Sequence, residues 1–400
     1  MKQSMIKVVI LALLVSTAFV ISAGLNNAQG SRDQDSRTAT IQAAPPEKTV
    51  EQVFKNIKVL NGTPQSQLYP VMRFMAASLG FQCGSCHVIK NGRGDFPADD
   101  KPEKQTARQM IKMVAEINKT LGEGKSLVSC YTCHRGQRSP QGAPALPLPL
   151  PAPPAPTGTT PNASSTLPSV DDVLIKYQGA IGGTVAIDRV TSCVTKGTTT
   201  TATGQVVRYE SEQAAPDKGH EAFTLPDVGG RCAGDSRCEY ERVVNGQQGW
   251  LKSGGGVQEL VGEQLADQKL SFLLFGILRL KDQYSSFRVS GRDKINDRDV
   301  YVVSVVRSDN KRERLYFDVE NGLLSRRISY TRTMIGNIPQ QIDFEDYRDV
   351  EGLRLPFTIR ASYVDASSPI ITRKFAEIKL NVPVNDAKFD KPLTREPVIK

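Results

Sequence analysis

Apolar positions change their spacing twice along this 400-residue chain. Between residues 46 and 138 they recur at helical spacing, and from residue 170 they form short β-branched runs separated by Gly, Asn and Asp. Residues 139–169 are rich in Pro, which fixes φ and removes N–H donors, so this stretch predicts a semi-rigid linker. The pattern predicts an α+β multidomain chain, with a mainly helical domain, a linker, and an antiparallel β domain over residues 170–396.

The helical part predicts three helices. Thr49, with Gln52 three residues later, predicts the capped start of the first. The second begins near Pro70, a residue tolerated in the first turn, and ends at Gly80. The third is capped by Asp100. Its predicted apolar stripe consists of Met110, Val114, Ile117 and Leu121.

From residue 170 the sequence predicts a short helix at 170–178 and then a large antiparallel sheet. Asn245-Gly246 and Asn321-Gly322 are typical hairpin turns. The strand candidates are residues 188–196, 203–210, 220–225, 239–244, 287–290, 300–306, 312–318, 323–332, 341–346, 357–363 and 374–382. Residues 263–280 predict one further helix, whose apolar stretch 270–280 either belongs to the core or covers a cavity. We favour the core.

The first thirty residues have the pattern of an export signal. Lys2 and Lys7 precede an uncharged apolar run at 8–23, and Ala28-Gln29-Gly30 provides a cleavage site. Two interpretations stay open, a cleaved signal peptide and an uncleaved membrane anchor, and we favour cleavage. Residues 31–45 are polar and are predicted to be disordered. The chain is therefore predicted to be exported to the periplasm, with membrane association if the segment is retained.

The cysteines carry the candidate chemistry. The chain holds seven Cys and three His, and two of the three His directly follow a Cys-x-x-Cys pair. These two motifs comprise Cys83, Cys86 and His87, and then Cys130, Cys133 and His134. Cys-x-x-Cys-His is the attachment motif of c-type haem, in which two thiols form thioethers and the His binds iron. A redox dithiol, a zinc site and a disulfide are the alternatives, but none of them accounts for both adjacent His. The sequence therefore predicts two covalent haems c.

Methionines supply the candidate sixth ligands. Met72 and Met75 precede the first motif, and Met110 and Met113 precede the second, so helix, loop and motif form an internal repeat. Met at positions i and i+3 of a helix share one face. Met thioether is a common axial ligand of haem iron, although Met is also a frequent core filler. We expect one Met of each pair to bind iron and the other to pack on the porphyrin.

Residues 47–138 resemble one two-haem half of the photosynthetic reaction centre cytochrome c subunit. The stretches that carry the resemblance are residues 71–87 and 109–136. In that family the first Met of each pair is the distal ligand, which implies Met72 for the first haem and Met110 for the second. The resemblance implies an electron carrier rather than an enzyme. Its partners would be electron donor and acceptor proteins, such as a membrane redox complex or a reaction centre. The family subunit has four haems, whereas this chain has motifs for two.

Residues 170–396 resemble the outer-membrane lipoprotein-carrier superfamily, whose fold is a half-open antiparallel barrel around helices. The features that carry the resemblance are Gly182-Gly183, Gly249-Trp250, Leu315-Tyr316-Phe317-Asp318 and Leu355-Pro356-Phe357. In that superfamily the concave face can hold acyl chains, so lipid is a candidate ligand. The alternative function is therefore a periplasmic lipid- or lipoprotein-binding protein with a haem redox-sensing module. A haem enzyme such as a peroxidase needs an open iron position, and the two Met pairs argue against it.

The remaining features add little chemistry. Cys232 and Cys238 could close a small disulfide loop, or Cys193 could pair with one of them. His220, the only His outside the motifs, is interpreted as structural. The formal charge of +9 comes without a block of Lys and Arg, and the propionates of two haems would offset part of it. We therefore predict no nucleic-acid partner.

Overall fold

The computed structural model describes residues 47–90, 93–123, 125–140, 167–201, 204–226, 237–253, 256–364 and 370–393. The predicted export signal, the polar segment at 31–45, most of the Pro-rich linker, and Cys232 lie outside the described residues. The domain boundaries given above stay predictions.

The amino-terminal part is mainly helical. It consists of α1 Val50–Val53, α2 Gln65–Leu79, α3 Cys83–Cys86, the small hairpin β1 Val88–Lys90 and β2 Arg93–Asp95, α4 Pro102–Thr120 and α5 Cys130–His134. The predicted end of α2 is confirmed, because Gly80 adopts the left-handed conformation with φ of 64°. The Gly80 position also leaves no room for a Cβ, which would collide with the carbonyl of Gly136.

Three predicted details of these helices are wrong. The first helix is a single turn: the Gln52 side chain accepts a hydrogen bond from the Thr49 N–H, but the chain leaves the helix after Val53. The second helix begins at Gln65, so Pro70 lies inside it rather than in its first turn. The third is capped by Lys101 instead of Asp100.

The buried face of α4 also differs from the predicted apolar stripe. It consists of Arg108, Ile111, Val114 and Asn118. Leu121 is 70% exposed and Met110 is 39% exposed. The predicted stripe is wrong because Arg108 and Asn118 are buried at positions where a hydrophobic pattern predicts exposure to solvent. Both side chains make hydrogen bonds that compensate for their burial.

The carboxy-terminal part is built around one antiparallel sheet. Its helices are α6 Val170–Ala180, α7 Thr184–Asp188, α8 Gly262–Ser271, α9 Leu273–Gly276 and α10 Leu280–Gln283. Its strands are β3 Ser192–Thr200, β4 Val206–Ala214, β5 Lys218–Pro226, β6 Arg237–Asn245, β7 Gln248–Ser253, β8 Gly256–Glu259, β9 Tyr284–Ile295, β10 Arg298–Arg307, β11 Arg312–Asp318, β12 Leu324–Thr333, β13 Gly336–Val350, β14 Leu353–Tyr363 and β15 Ile371–Leu380. A short 3-10 helix follows at Asp386–Phe389.

Within the described residues, these thirteen strands form a single sheet in the order β8-β7-β6-β5-β4-β3-β15-β14-β13-β12-β11-β10-β9. Consecutive strands pair with each other, except β8 and β9, which form the two edges of the sheet. In addition, β3 pairs with β15. The predicted antiparallel sheet is confirmed, and each of the eleven strand candidates overlaps one of these strands. Strands β7 and β8 were not predicted.

Helices pack on one face of this sheet. The segment that contains α8, α9 and α10 connects the two edge strands, and on the way α8 contacts β6 and α9 contacts β3. Leu274 and Ile277 are buried in the same hydrophobic cluster as Tyr177 of α6, whose hydroxyl donates to the Ile277 carbonyl at 2.7 Å. The predicted single helix over 263–280 is in fact broken into short helices. The interpretation of residues 270–280 as core is confirmed.

The helical part and the sheet also share a hydrophobic cluster. Ile335 lies at the turn between β12 and β13, and Ile338 lies in β13. Both belong to this cluster, together with Val71 and Phe74 of α2. Ile335 is completely buried. The tip of this hairpin thus completes the core of the part that carries the cysteine motifs.

Candidate haem-binding sites

The first motif folds into a single helical turn. Gln82 caps α3, and its N–H donates to the Ser85 hydroxyl at 3.3 Å. Cys83 and Cys86 occupy the first and fourth positions of the turn, so both sulfurs leave from the same face of the helix. His87 follows directly, and its N–H donates to the Cys83 carbonyl at 3.0 Å.

The second motif repeats this arrangement. Ser129 caps α5, and its N–H donates to the Thr132 hydroxyl at 3.0 Å. Cys130 and Cys133 again lie one turn apart, and His134 ends the helix. The four motif cysteines are free thiols, as thioether formation requires. The disulfide alternative is therefore not realised in either motif.

Both motif histidines make the same hydrogen bond. The Nδ1 atom of His87 lies 3.3 Å from the Phe96 carbonyl oxygen, and Nδ1 of His134 lies 3.1 Å from the Gln137 carbonyl oxygen. Because a carbonyl only accepts, Nδ1 carries the proton and Nε2 keeps its lone pair in both neutral rings. This is the tautomer in which Nε2 can bind iron while Nδ1–H fixes the ring orientation.

Electrostatics around the first motif favour a neutral imidazole. Burial lowers the pKa of His87, and the positive charge of Lys104 lowers it further. Lys104 also donates to the Phe96 carbonyl at 2.9 Å, the same oxygen that orients the His87 ring. Lys101 donates to the Gly84 carbonyl within the motif turn.

Asp99 organises the segment that follows the first motif. Its carboxylate lies 2.9 Å from Arg108, 2.8 Å from Lys58 and 3.0 Å from Lys104. Hydrogen bonds from these cations hold the pKa of Asp99 well below its usual value. The cluster joins α4 to the loop before α2 and fixes the backbone that orients His87. Sequence reasoning missed Asp99, because these residues are far apart in the chain and follow no motif.

The Met pairs lie on the two long helices of this part. Met72 and Met75 of α2 are half-buried and pack against the cluster that contains Phe74 and Ile335. Met110 and Met113 of α4 are 39% and 45% exposed.

Each long helix contacts the motif turn of the other repeat, α2 with α5 and α4 with α3. The Gly136 N–H, just after the second motif, donates to the Ser78 carbonyl of α2 at 2.9 Å. The assignment of Met72 to the first haem and Met110 to the second stays a prediction.

The surface of the helical part has the character that a flat apolar group would cover. More than half of the exposed large apolar side chains among the described residues lie between residues 50 and 131. They include Phe96, which contacts His87 edge to face with ring centroids 5.2 Å apart, and Tyr131 within the second motif. Phe96 and Tyr131 place an exposed aromatic ring near each of the two motif histidines in the sequence. The donor set, the His tautomers and this surface therefore fit haem c.

The zinc alternative is not supported by the geometry. No group of three or more His, Cys, Asp or Glu side chains within the described ranges could together hold a bare metal ion. The two motif turns thus do not combine into a four-cysteine site.

The other cysteines and the third histidine belong to the sheet. Cys193 is a free, buried thiol, and burial raises its pKa to about 12. Cys238 is disulfide-bonded, so the alternative in which Cys193 forms the bridge is wrong. His220 lies in β5 opposite Val243, and its Nε2 is 3.8 Å from Glu241. The structural role of His220 stays a prediction.

Among the helices of the described ranges, none combines the length and the apolar character needed to cross a bilayer.

Solved structures with similar backbones include a LolA superfamily protein from Nitrosomonas europaea, which is 13% identical, covers 56% of this chain and 99% of that chain, and has a TM-score of 0.39. A putative outer membrane lipoprotein-sorting protein domain from Vibrio parahaemolyticus is 10% identical over 55% of this chain and 94% of that chain, with a TM-score of 0.37. Similarity at this level leaves the ligand of the sheet region open.

Sequence relatives match a short part of the chain. Cytochrome c-554 of Chloroflexus aurantiacus is 33% identical over 86 residues, which are 20% of either chain. The photosynthetic reaction center cytochrome c subunit of Rubrivivax gelatinosus is 31% identical over 96 residues, 22% of this chain and 24% of that protein. The chain thus spans only a fifth to a quarter of the length of these relatives. Residues 21–146 match the family model of the photosynthetic reaction centre cytochrome c subunit, which confirms that this region, with both motifs, is similar to that family.

Proposed function

We propose that this chain is an exported c-type cytochrome that binds two haems covalently and transfers electrons. The observation that carries the proposal is the arrangement that the two motif turns share, although His87 follows its helix and His134 ends its helix. Each places two free thiols on one face and a His whose Nδ1 lies within hydrogen-bond distance of a backbone carbonyl oxygen. The family similarity of residues 21–146 supports an electron carrier of the cytochrome c type.

The roles of the side chains follow from this geometry. Cys83 and Cys86 would hold the first haem and Cys130 and Cys133 the second, each S–H adding across a vinyl C=C so that sulfur bonds to one carbon and hydrogen to the other. His87 and His134 would offer Nε2 to the iron. Bound haem supplies a one-electron ferric/ferrous couple. Met72 and Met110 are the proposed sixth ligands, and a thioether at that position favours ferrous iron.

The carbonyl bonds of the two His reduce the freedom of the rings. A ring held at Nδ1 loses little rotamer entropy when Nε2 binds, so the ligand is pre-oriented. Lys101, Lys104 and Asp99 restrict the first site in the same way through the backbone. Rigid ligands favour electron transfer, because little structure has to rearrange when the iron changes charge. The partners we propose are electron donor and acceptor proteins.

Lipid binding in the sheet region is the second candidate function. It rests on the resemblance to lipoprotein carriers alone. The face of the sheet that helices cover is packed with Tyr177, Leu274 and Ile277, which form core. No contact among the described residues favours this function over electron transfer.

The test is the intact mass of the mature full-length protein, isolated from a host that attaches haem c. We expect the mass of the polypeptide plus two haems. The double variant Cys83→Ala/Cys86→Ala should lose one haem, and Cys130→Ala/Cys133→Ala should lose the other. Cys193→Ala is the matched control, because it removes a free thiol outside both motifs and should keep both haems. A wild-type increment of one haem or none would refute the proposal.

Electron transfer itself is tested by spectroscopy. The visible spectrum should cycle between oxidised and reduced forms with dithionite and ferricyanide, without loss of absorbance. A protein that carries two haems but cannot be reoxidised would contradict the role as a carrier and would favour an enzyme.

A further inference from the structure

We propose that the tip of the β12–β13 hairpin, residues 333–336, is a positioning element of the second haem-attachment turn. Through it the sheet region acts more strongly on the second haem than on the first. This inference rests on the proposed function, and it assigns to the carboxy-terminal part a role in tuning one of the two haems.

The first observation is the burial of an apolar turn. Hairpin turns of two residues are usually built from Asn, Asp or Gly, which suit exposed positions and positive φ. Here the turn is Met334-Ile335, and the Ile335 side chain is completely buried. It lies in one cluster with Phe74 of α2 and Ile111 of α4, and Cys130 of the second motif packs against the same cluster. The hairpin tip and a haem-attachment cysteine thus share one core.

The second observation is a close approach of two backbones. Gly336 has a φ of 134°, a conformation that other residues rarely adopt. A Cβ at this position would lie 2.7 Å from the Cβ of Ser129, which is closer than side-chain carbons approach in proteins. Ser129 is the residue that caps α5 directly before Cys130. The absence of a side chain at 336 therefore sets how closely the hairpin approaches the second motif.

Hydrogen bonds restrict the residues on both sides of the contact between Gly336 and Ser129. The Thr333 hydroxyl donates to the Gly336 carbonyl at 2.7 Å, across the turn, and the Ser126 hydroxyl lies 3.5 Å from the Thr333 carbonyl. On the other side Asn118 of α4 accepts from the N–H groups of Leu127 and Val128, both at 2.8 Å. The segment that leads into the second motif is thus held between α4 and the hairpin.

The first motif has a different support. Its contacts described above come from Lys101, Lys104, Phe96 and the Asp99 cluster, all within the helical part. A displacement of the hairpin should therefore move Ser129, and with it Cys130 and His134, while the surroundings of His87 stay unchanged. Met72, the proposed ligand of the first haem, packs against the same cluster as Ile335, so the first haem should respond as well, but more weakly than the second.

The test is a redox titration of the full-length protein with both haems attached, comparing wild type with Gly336→Ala. The variant introduces the Cβ that collides with Ser129. We expect the potential of one haem to shift clearly more than that of the other. Gly256→Ala is the matched control, because Gly256 also has a positive φ, of 109°, but has no atom within 4 Å of the added Cβ. It should change neither potential.

Single-haem backgrounds identify the haem that responds. In Cys83→Ala/Cys86→Ala, which keeps the second haem, Gly336→Ala should cause the full shift. In Cys130→Ala/Cys133→Ala the shift should be clearly smaller. Equal shifts of both potentials, or a shift confined to the first haem, would overturn the inference, and so would unchanged potentials.

If Gly336→Ala folds poorly, a milder pair of variants tests the same inference. Ile335→Val removes one methylene from the shared cluster, and Ile378→Val does the same in the separate core of the sheet. Only Ile335→Val should shift the potential of the second haem, and equal behaviour of the two would overturn the inference.

The haem count separates this inference from the proposed function. Fewer than two haems in wild type refutes the function, whereas two haems with potentials indifferent to the hairpin refute only the positioning role.

Discussion

Replacing Met110 by Ala should convert one haem from six-coordinate to five-coordinate or water-bound, whereas replacing Met113 should not. The two side chains lie one turn apart on α4 and are 39% and 45% exposed. Full burial of a Met side chain contributes about 1.5–3 kcal/mol, so each truncation should cost on the order of 1 kcal/mol of packing. The difference in exposure corresponds to only about 0.2 kcal/mol. The two variants are thus matched in stability, and a difference in spectrum reports the ligand.

The assay combines the ferric absorbance band of Met-ligated haem, near the red end of the visible range, with a redox titration. Met110→Ala should lose the band of one haem and lower its potential, because a thioether stabilises ferrous iron preferentially. Met113→Ala should keep both. If Met113→Ala loses the band instead, the ligand lies one helical turn further on. If neither variant changes the spectrum, neither Met is the sixth ligand, and the ligand assignment that the family resemblance implies is wrong.

The same comparison for Met72 and Met75 decides which haem each helix serves. Both side chains are half-buried against one cluster, so their packing costs are again similar. Performed in the two single-haem backgrounds, Met72→Ala should affect only the protein that keeps the first haem. An effect only where the second haem is kept would mean that the ligands cross between the repeats, as the contact of α2 with α5 allows.

Three further predictions concern the rest of the chain. Glu221→Gln should lower the free energy of unfolding by about 3 kcal/mol, because the fully buried carboxylate lies 2.7 Å from Arg242 and 3.1 Å from Arg373. Burial raises the pKa of Glu221, but the two arginines outweigh this effect and hold the pKa below its ordinary value of 4.5. In acid unfolding scans the stabilisation should therefore be lost only as the pH falls below 4.5. Tyr177→Phe should cost about 1 kcal/mol in chemical denaturation, through the lost bond to a buried carbonyl. Limited proteolysis should cut first within residues 139–169, and a first cut elsewhere would contradict the predicted linker.

The local parts of the candidate sites could be predicted from sequence. The Cys-x-x-Cys-His spacing lies within five residues, so one helical turn is enough to bring both thiols to one face and the His next to them. Gly80 ended α2 as predicted, because the left-handed position depends on the residue itself. The antiparallel sheet was also predictable, since β-branched runs and turn residues alternate along the chain.

Contacts between distant residues could not be predicted in this way. Asp99 has an ordinary sequence neighbourhood, and its role depends on Lys58 and Arg108, which only the fold brings to it. The burial of Asn118 gives no signal in the sequence, because its partners, the N–H groups of residues 127 and 128, are backbone atoms. The turn Met334-Ile335 did give a signal, since two large apolar residues at a hairpin tip are costly unless something covers them. The residues that cover Ile335, however, lie more than two hundred positions earlier in the chain, and Met334 stays exposed.

The two motif turns show how a duplicated unit can become two different sites. Within each turn the copies are alike, with a capping residue, two free thiols and a His held at Nδ1 by a carbonyl. Beyond the turn they differ: cations around Asp99 support the first, and an uncharged contact between Ser129 and Gly336 supports the second. Positive charge near an iron favours its reduced form, whereas an apolar contact acts mainly through geometry and exposure to water. The first haem should therefore respond to changes of charge and ionic strength, and the second to movements of the sheet region.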